Sequence, residues 1–388
     1  RNGNEAIGAF KYTSIIGSGS KYTFGSDEVI TVGSNPSGIP NPDLKWETSE
    51  QYNIGIDSRF FNERLNFTLD LYNKKTKDLL VVAPIPGYIG NAAPTVNGGT
   101  VTNKGVELEL GYKTSINKLD VDVSLSGAYN KNEVTDINNA EGKIYGAGLA
   151  VGMSNICMMQ EGFPIAYFWG YKTAGVFQNE AQILSYISSD STVIQPNAKP
   201  GDLIWVDKND DGKIDDNDRM LIGNPYPDFT AGLNVNLAYR NFDFNMFWYG
   251  AFGQDIFDGT RRYDLPMSNW NASVLDRWTG EGTSNSNPRV TIADPNKNYV
   301  NVSDFYVHNG SYLRLKNLTL GYTIPTTISQ KVKIQRMRVF MSVSNLLTFT
   351  SYKGFDPEIG AKSALDVGID RNIYPQSRTF MFGVNLNF

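Results

Sequence analysis

The feature that most constrains this chain is an alternation of apolar and polar residues that recurs in runs of about ten, each closed by turn residues. Leu65, Phe67, Leu69 and Leu71 alternate with Asn66, Thr68, Asp70 and Tyr72. Val106, Leu108, Leu110 and Tyr112 alternate with Glu107, Glu109 and Gly111, and Leu119, Val121, Val123 and Leu125 with Asp120, Asp122, Ser124 and Ser126. The pattern returns at Leu233–Tyr239, Phe242–Trp248 and Val339–Val343. It closes the chain with Phe380, Phe382, Val384, Leu386 and Phe388. Side chains two apart share one face of a strand, so each run is a strand with an oily side and a wet side. Runs of this length suffice for a tilted strand to cross a bilayer.

Alternation alone fits two architectures. In a soluble sandwich the oily sides of two sheets press together. In a membrane barrel they face lipid and the wet sides line water. Three further features favour the barrel. Tyr72, Tyr112, Tyr129, Tyr239, Trp248, Tyr249 and Tyr322 are expected near strand ends, where interfacial girdles sit. Connections alternate in length: 59–64 and 240–241 are tight, whereas 73–99, 131–165, 178–228, 253–310 and 351–377 are long. Short turns on one side of a membrane and long loops on the other produce that asymmetry. Finally, Phe380, Phe382 and the terminal Phe388 resemble the C-terminal sorting signal of outer-membrane barrels; a soluble protein would expose a sticky edge there. A short helix is expected over 180–187, inside a loop.

Composition narrows the function. A net charge of -5 and a pI near 5.2 argue against nucleic-acid binding. The single cysteine, Cys157, excludes an internal disulfide and reads as a small buried residue. The single histidine, His308, has no partner signature for a triad or a His-based metal site, and no enzyme is expected. No window approaches a membrane helix, which leaves a barrel open. Arg1 is not a natural start, so a fragment or processed product is expected.

One motif carries ligand chemistry. Asp207, Asn209 and Asp211 occupy positions one, three and five of an EF-hand-like loop, with Gly212 at the sharp turn. Lys213 would offer its carbonyl, Asp215 would reach the ion directly or through water, and Asp218 fills the last position. A structural Ca²⁺ would relieve the repulsion of these carboxylates. The alternative is a solvated acidic turn. Glu107 and Glu109 share one strand face and read as a lumen-lining polar row.

Several segments together resemble the SusC/RagA family of TonB-dependent transporters. They run from Asn41-Pro42-Asp43-Leu44-Lys45-Trp46-Glu47-Thr48 through Gln51–Asp57, Phe60–Leu65, Tyr72–Leu80 and Asn103–Leu108. They continue with the acidic loop, Gly223–Pro227, Gly310–Asn317, Ser344–Thr348, Tyr352–Glu358 and the final strand. The resemblance implies an all-β, antiparallel transmembrane barrel of about 22 strands. Residues 1–388 would be its C-terminal portion and hold about ten strands. The plug domain and the first barrel strands would be absent. It also implies the outer membrane of a Gram-negative, Bacteroidota-like cell, and uptake of an oligosaccharide or peptide. The partners would be a SusD-like surface lipoprotein and, through the missing plug region, the TonB complex. The loop aromatics Trp169, Tyr171, Trp205, Trp270 and Trp278 are candidate substrate contacts, since aromatic faces stack on sugar rings; the alternative is that they pack the loops together or against the lipoprotein. The rival is a soluble or secreted calcium-stabilised β-sandwich that binds glycans.

Overall fold

The computed structural model describes residues 12–24, 29–36, 38–83, 85, 87–146, 148–149, 153, 155–261 and 268–388. Its largest element is a nine-stranded sheet. In chain order the strands are β1 (Thr48–Phe60), β2 (Leu65–Lys77), β3 (Gly99–Ile116), β4 (Leu119–Ile137) and β5 (Phe229–Tyr239). They continue with β6 (Phe242–Phe252), β7 (Tyr312–Ile324), β8 (Arg336–Thr350) and β9 (Thr379–Asn387). Each pairs antiparallel with the next in sequence, so the sheet is an uninterrupted meander. β1 and β9 are its two edges.

A meander places successive connections at opposite ends. At one end they are short: 61–64, 117–118, 240–241 and 325–335. Phe61, Asn62 and Glu63 sit at φ 57, 56 and 66, and Asn117 and Arg240 at φ 57 and 55. Such left-handed positions let the chain reverse in few residues, at little steric cost for asparagine. At the other end the connections are 78–98, 138–228, 253–311 and 351–378. The alternation of loop lengths is therefore a property of the topology.

The register carries the face argument. One row crosses all nine strands as Phe60, Leu65, Tyr112, Val123, Val235, Met246, Leu318, Val343 and Phe380, every member apolar. The neighbouring row on the other face reads Arg59, Asn66, Gly111, Ser124, Asn234, Phe247, Asn317, Ser344 and Thr379. No second layer covers the apolar side among the described residues. Tyr52 is 75% exposed, Ile54 73% and Phe382 76%. A sandwich would bury these side chains, so the sheet is barrel wall and the sandwich reading falls.

Four details differ from expectation. Among the described residues the wall holds nine strands where about ten were expected, because length alone does not separate wall strands from loop hairpins such as Ile16–Phe24 with Val29–Pro36. β2 runs on to Lys77 and β4 to Ile137, taking residues assigned to loops. Tyr72 lies well inside β2 on the polar side, and its hydroxyl donates to Asn130 Oδ1 at 2.9 Å. Tyr249 also faces the polar side, paired with Arg314. The expected loop helix is present as Glu180–Ser185. No helix among the described residues is long and apolar enough to cross a membrane.

Candidate functional site

The four long connections do not hang free. They share one apolar core at the mouth of the sheet. Val81 enters from 78–98; Ile144, Ile156, Met159 and Phe168 from 138–228; Phe257, Val302 and Tyr306 from 253–311; Leu365, Val367 and Ile369 from 351–378. Phe168 and Phe257 are fully buried and meet edge to face with ring centroids 5.8 Å apart. Residues Ile369–Asp370 run parallel to Asp255–Asp258, the partners being Phe257 with Ile369 and Asp258 with Asp370. Cys157 donates its thiol to the Val367 carbonyl at 3.7 Å, and burial pushes the thiol pKa up to about 12. It is an inert packing group, as its type suggests.

Polar staples tie the same segments together. Asp202 is fully buried; it receives Arg289 Nε at 2.6 Å and Asn298 Nδ2 at 2.9 Å, which joins 138–228 to 253–311. Asn298 in turn accepts the Leu203 N–H at 2.8 Å. Thr173 donates its hydroxyl to Asp304 Oδ1 at 2.8 Å, and burial raises the Asp304 carboxyl above the usual range. Each staple satisfies groups that would be costly to bury alone.

A second cluster fixes the last connection to the wall. Arg314, on the polar side of β7, is 3% exposed. It donates to Asp356 Oδ1 at 2.7 Å, Glu358 Oε2 at 2.5 Å and Thr348 Oγ1 at 2.9 Å. Lys316 and Tyr312 donate to Glu358 Oε1 at 2.5 and 2.9 Å. Segment 352–358 is thereby folded inward onto the wall. Burial alone would raise Asp356, but Arg314 and the N–H groups of Gln376 and Glu358 outweigh it and hold the carboxyl below the usual range. Partners 42 and 44 residues apart give no local sequence signal, so this cluster escaped sequence reading.

The acidic loop is held by short-range hydrogen bonds from backbone N–H groups to its Asp and Asn side chains. Asp207 Oδ2 accepts the Gly212 N–H at 2.9 Å, and Gly212 turns at φ 78. Asp211 Oδ1 accepts from Lys213 N at 3.0 Å, and Asn209 Oδ1 from Asp211 N at 3.3 Å. Asp215 caps the one-turn helix Asp216–Asp218. Asp218 is fully buried and accepts from Lys208 N at 2.9 Å and Asp215 N at 2.8 Å. Asp207 Oδ1 is buried without a hydrogen-bond partner. Among the described residues no group of three or more His, Cys, Asp or Glu side chains stands as a metal site. The structure thus does not bring Asp207, Asp211, Asp215 and Asp218 together as a ready-made ligand set, and an ion here would have to draw them in alongside the Asn209 amide and the Lys213 carbonyl.

The candidate aromatics do not form one open surface. Trp169, Tyr171 and Trp205 are buried at 9%, 9% and 2% exposed. Arg219, which follows the acidic loop, stacks its guanidinium 3.7 Å from the Trp169 ring centroid, and burial holds its pKa below the usual value. Trp205 Nε1 donates to the Asn296 carbonyl at 3.1 Å. These three pack the cap, because in aromatic-rich loops with a shared core the rings are what fills it. Trp270 and Trp278 are half-buried. Trp270 carries Arg261 3.6 Å above its ring, and Trp278 Nε1 donates to Gln178 Oε1 at 3.3 Å. Phe380, Phe382 and Phe388 line the exposed apolar side of the edge strand β9 and its end, at 56%, 76% and 81% exposed. His308 sits on the short strand Val307–Asn309, 3.9 Å from Asp258. On the polar face, a groove of about 380 Å³ is lined by Asp70, Glu107, Glu109, Thr230, Phe247 and Tyr249 among others.

Comparison with known proteins agrees with this architecture. The family described as TonB dependent receptor-like, beta-barrel matches residues 9–346. TonB-dependent receptor P3 of Formosa agariphila is 33% identical over 362 residues, covering 90% of this chain and 35% of that protein. TonB-dependent receptor SusC of Bacteroides thetaiotaomicron is 30% identical over 373 residues, covering 95% of this chain and 34% of that protein. Among solved structures, the RagAB peptide transporter superposes with a TM-score of 0.75 at 23% identity, over 99% of this chain and 39% of its own. That likeness is one of fold. The chain thus spans little more than a third of the length of these relatives.

Proposed function

Because this chain belongs to the TonB-dependent receptor β-barrel family, as a SusC/RagA-type barrel portion, we propose that it forms wall, lumen lining and outer mouth of an energy-coupled importer in the outer membrane. The observation that carries this reading is the apolar row from Phe60 to Phe380 on one side of nine strands, with Phe60, Tyr112 and Phe380 exposed at 48%, 45% and 56%, backed by a mostly polar row on the other. Only a hydrocarbon solvent makes such a surface favourable, because water would be in contact with apolar side chains along the whole sheet.

The proposed cargo is an oligosaccharide or a peptide. The polar groove with its carboxylates, hydroxyls and two aromatic rings suits hydroxyl- or amide-bearing solutes. Half-buried Trp270 and Trp278 are the remaining candidates for cargo contact among the cap aromatics. A SusD-like lipoprotein over the mouth and TonB acting on a plug are proposed for the full-length protein, by likeness to SusC and to the fold of RagAB. A strain lacking the gene is expected to lose growth on one class within a panel of glycans and peptides. Wild-type growth on every member would remove the uptake reading.

The acidic loop is proposed as a structural Ca²⁺ site held by Asp207, Asn209, Asp211, the Lys213 carbonyl, Asp215 and Asp218. The orphaned Asp207 Oδ1 supports it, since a buried carboxylate oxygen lacking a donor is what a cation satisfies. Full-length protein should bind Ca²⁺ in a direct titration and Asp211→Ala should lose that binding. Equal binding by the variant, or none by the wild type, would remove the site.

A further inference from the structure

We propose that the short-turn rim of the wall binds anionic phospholipid headgroups, with the helical connection 325–335 lying in the bilayer interface as its anchor. The proposal rests on the reading that the apolar side of the sheet faces lipid. The chain carries a net charge of -5, yet its four short connections are basic. Each supplies at least one cation: Arg64 in 61–64, Lys118 in 117–118, Arg240 in 240–241, and Lys331 with Lys333 in 325–335. All five are exposed. None of them makes an ion pair with a described residue. The one acidic residue in these turns, Glu63, is held by Arg59 at 3.3 Å. Asp120 and Asp243 lie nearby but on the polar side of the strands, where Asp243 accepts Arg338 Nε at 2.9 Å.

The apolar side of the same rim sets the depth of these cations. One register row there runs through Leu119, Tyr239, Phe242, Tyr322 and Val339, four residues nearer the short turns than the row through Val235. The Phe242 and Tyr322 rings meet with centroids 4.7 Å apart, and the Arg240 guanidinium lies 5.3 Å from the Tyr239 ring centroid. Rings of this kind sit at headgroup depth, which brings cations in the adjoining turns level with lipid phosphates. Connection 325–335 differs from the other three turns. It forms the one-turn helix Thr326–Ser329 followed by the tighter turn Gln330–Val332. Ile328 is 57% exposed and Val332 63%, whereas Ser329 is 1% exposed. Residues four apart share one side of a helical turn, so the two apolar side chains stand together with Lys331 and Lys333 close in sequence. The strand residues that flank the connection, Ile324 and Met337, pair with each other on the apolar side of the wall. The connection therefore continues directly from the lipid-facing surface. An exposed apolar pair beside lysines is what an interfacial helix presents to negatively charged headgroups.

Lipid selectivity tests this. The full-length protein is reconstituted in phosphatidylcholine bilayers with a trace of spin-labelled phosphatidylglycerol or spin-labelled phosphatidylcholine. The motionally restricted fraction of each label gives the relative affinity of the protein for the two headgroups. The wild type is expected to prefer phosphatidylglycerol about threefold, and about 0.5 M salt to remove most of that preference. A variant carrying Arg64→Gln, Lys118→Gln, Arg240→Gln, Lys331→Gln and Lys333→Gln is expected to lose at least half of it. No preference in the wild type, or the same preference in the variant, would overturn the proposal. Single nitroxide labels at 328 and 332 supply a second reading that needs no change of charge, and native Cys157 is buried and does not compete for the label. Both labels should collide with dissolved oxygen more often than with a water-soluble nickel chelate. Greater access to the chelate would overturn the anchor, and occlusion from both reagents would assign this face to a protein partner and overturn the lipid assignment. If labels along β5 fail to alternate between the two reagents, the lipid-facing reading of the wall fails. Alternation there with chelate access at 328 and 332 removes this proposal alone.

Discussion

The wall and the cap of this molecule solve the hydrophobic problem in opposite ways. In the wall, apolar side chains point outward: Ile54 is 73% exposed and Phe382 76%. In the cap they point inward, and Phe168, Phe257 and Met159 are fully buried. The wall has no core of its own, and its register row of nine apolar residues needs an apolar solvent. The cap has a core of the kind soluble proteins use, assembled from connections that join wall strands. The difference shows that one chain is partitioned between two solvents. Wall strands are specified by face, whereas cap segments are specified by mutual packing.

That comparison can be broken by substitution, in the full-length protein. The largest effect is expected from Phe168→Ala, which removes a fully buried ring from the cap core and should cost about 3–5 kcal/mol. Hydrogen exchange should rise across all four connections while wall amides stay protected. Loss of wall protection in the same step would show that the two regions are not separately stabilised. Arg314→Met comes next. It leaves Asp356 and Glu358 facing the wall without their main partner, and removing one member of a buried pair costs on the order of 3–5 kcal/mol. Because Lys316 and Tyr312 still reach Glu358, the lower end is expected, read as new protease cleavage within 351–378. Unchanged cleavage would show that the cluster does not hold that connection.

The wall is probed by Val235→Arg and Asn236→Arg, neighbours on opposite faces of β5. A cation on the lipid side near the midplane costs about 2–4 kcal/mol, whereas the lumen side tolerates it. Urea unfolding in lipid vesicles should therefore destabilise only the first. The smallest effect is a pH dependence at Asp356, whose carboxyl is held below the usual range. Its folded value lies under its unfolded one, so its contribution is complete above the unfolded pKa of about 3.9. It is lost as pH falls through the lower folded value. Protection of the Glu358 and Gln376 amides, relative to their intrinsic exchange rates at each pH, should be flat from neutral pH down to about 5 and fall below about 4. A fall already near pH 6 would point to another group.

The two regions also differ in how readable they are. Strands β2–β6, β8 and β9 announce themselves by strict period two, because each must present one face to lipid. β1 and β7 carry weaker alternation and were visible through family-like segments, Gln51–Asp57 and Gly310–Asn317. The cap was read as loops with aromatic contacts, and its core was missed. Its buried pieces are three or four residues long, as in Cys157–Gln160 and Tyr167–Gly170, too short for a period to show. From sequence, Trp169, Tyr171 and Trp205 fit substrate contact and loop packing alike, because the partners that bury them come from distant segments. The short alternation Leu365, Val367, Ile369 was available, and would have marked a strand inside the last connection.

The most direct test places single spin labels at 233 through 238 of β5 in the full-length protein in bilayers. Collisions with lipid-soluble oxygen and with a water-soluble nickel chelate are then compared site by site. Labels at 233, 235 and 237 should meet oxygen, and labels at 234, 236 and 238 should meet the chelate, alternating with every residue. Equal access to the chelate on both faces, or occlusion of the odd positions from oxygen, would contradict a wall with one side in hydrocarbon.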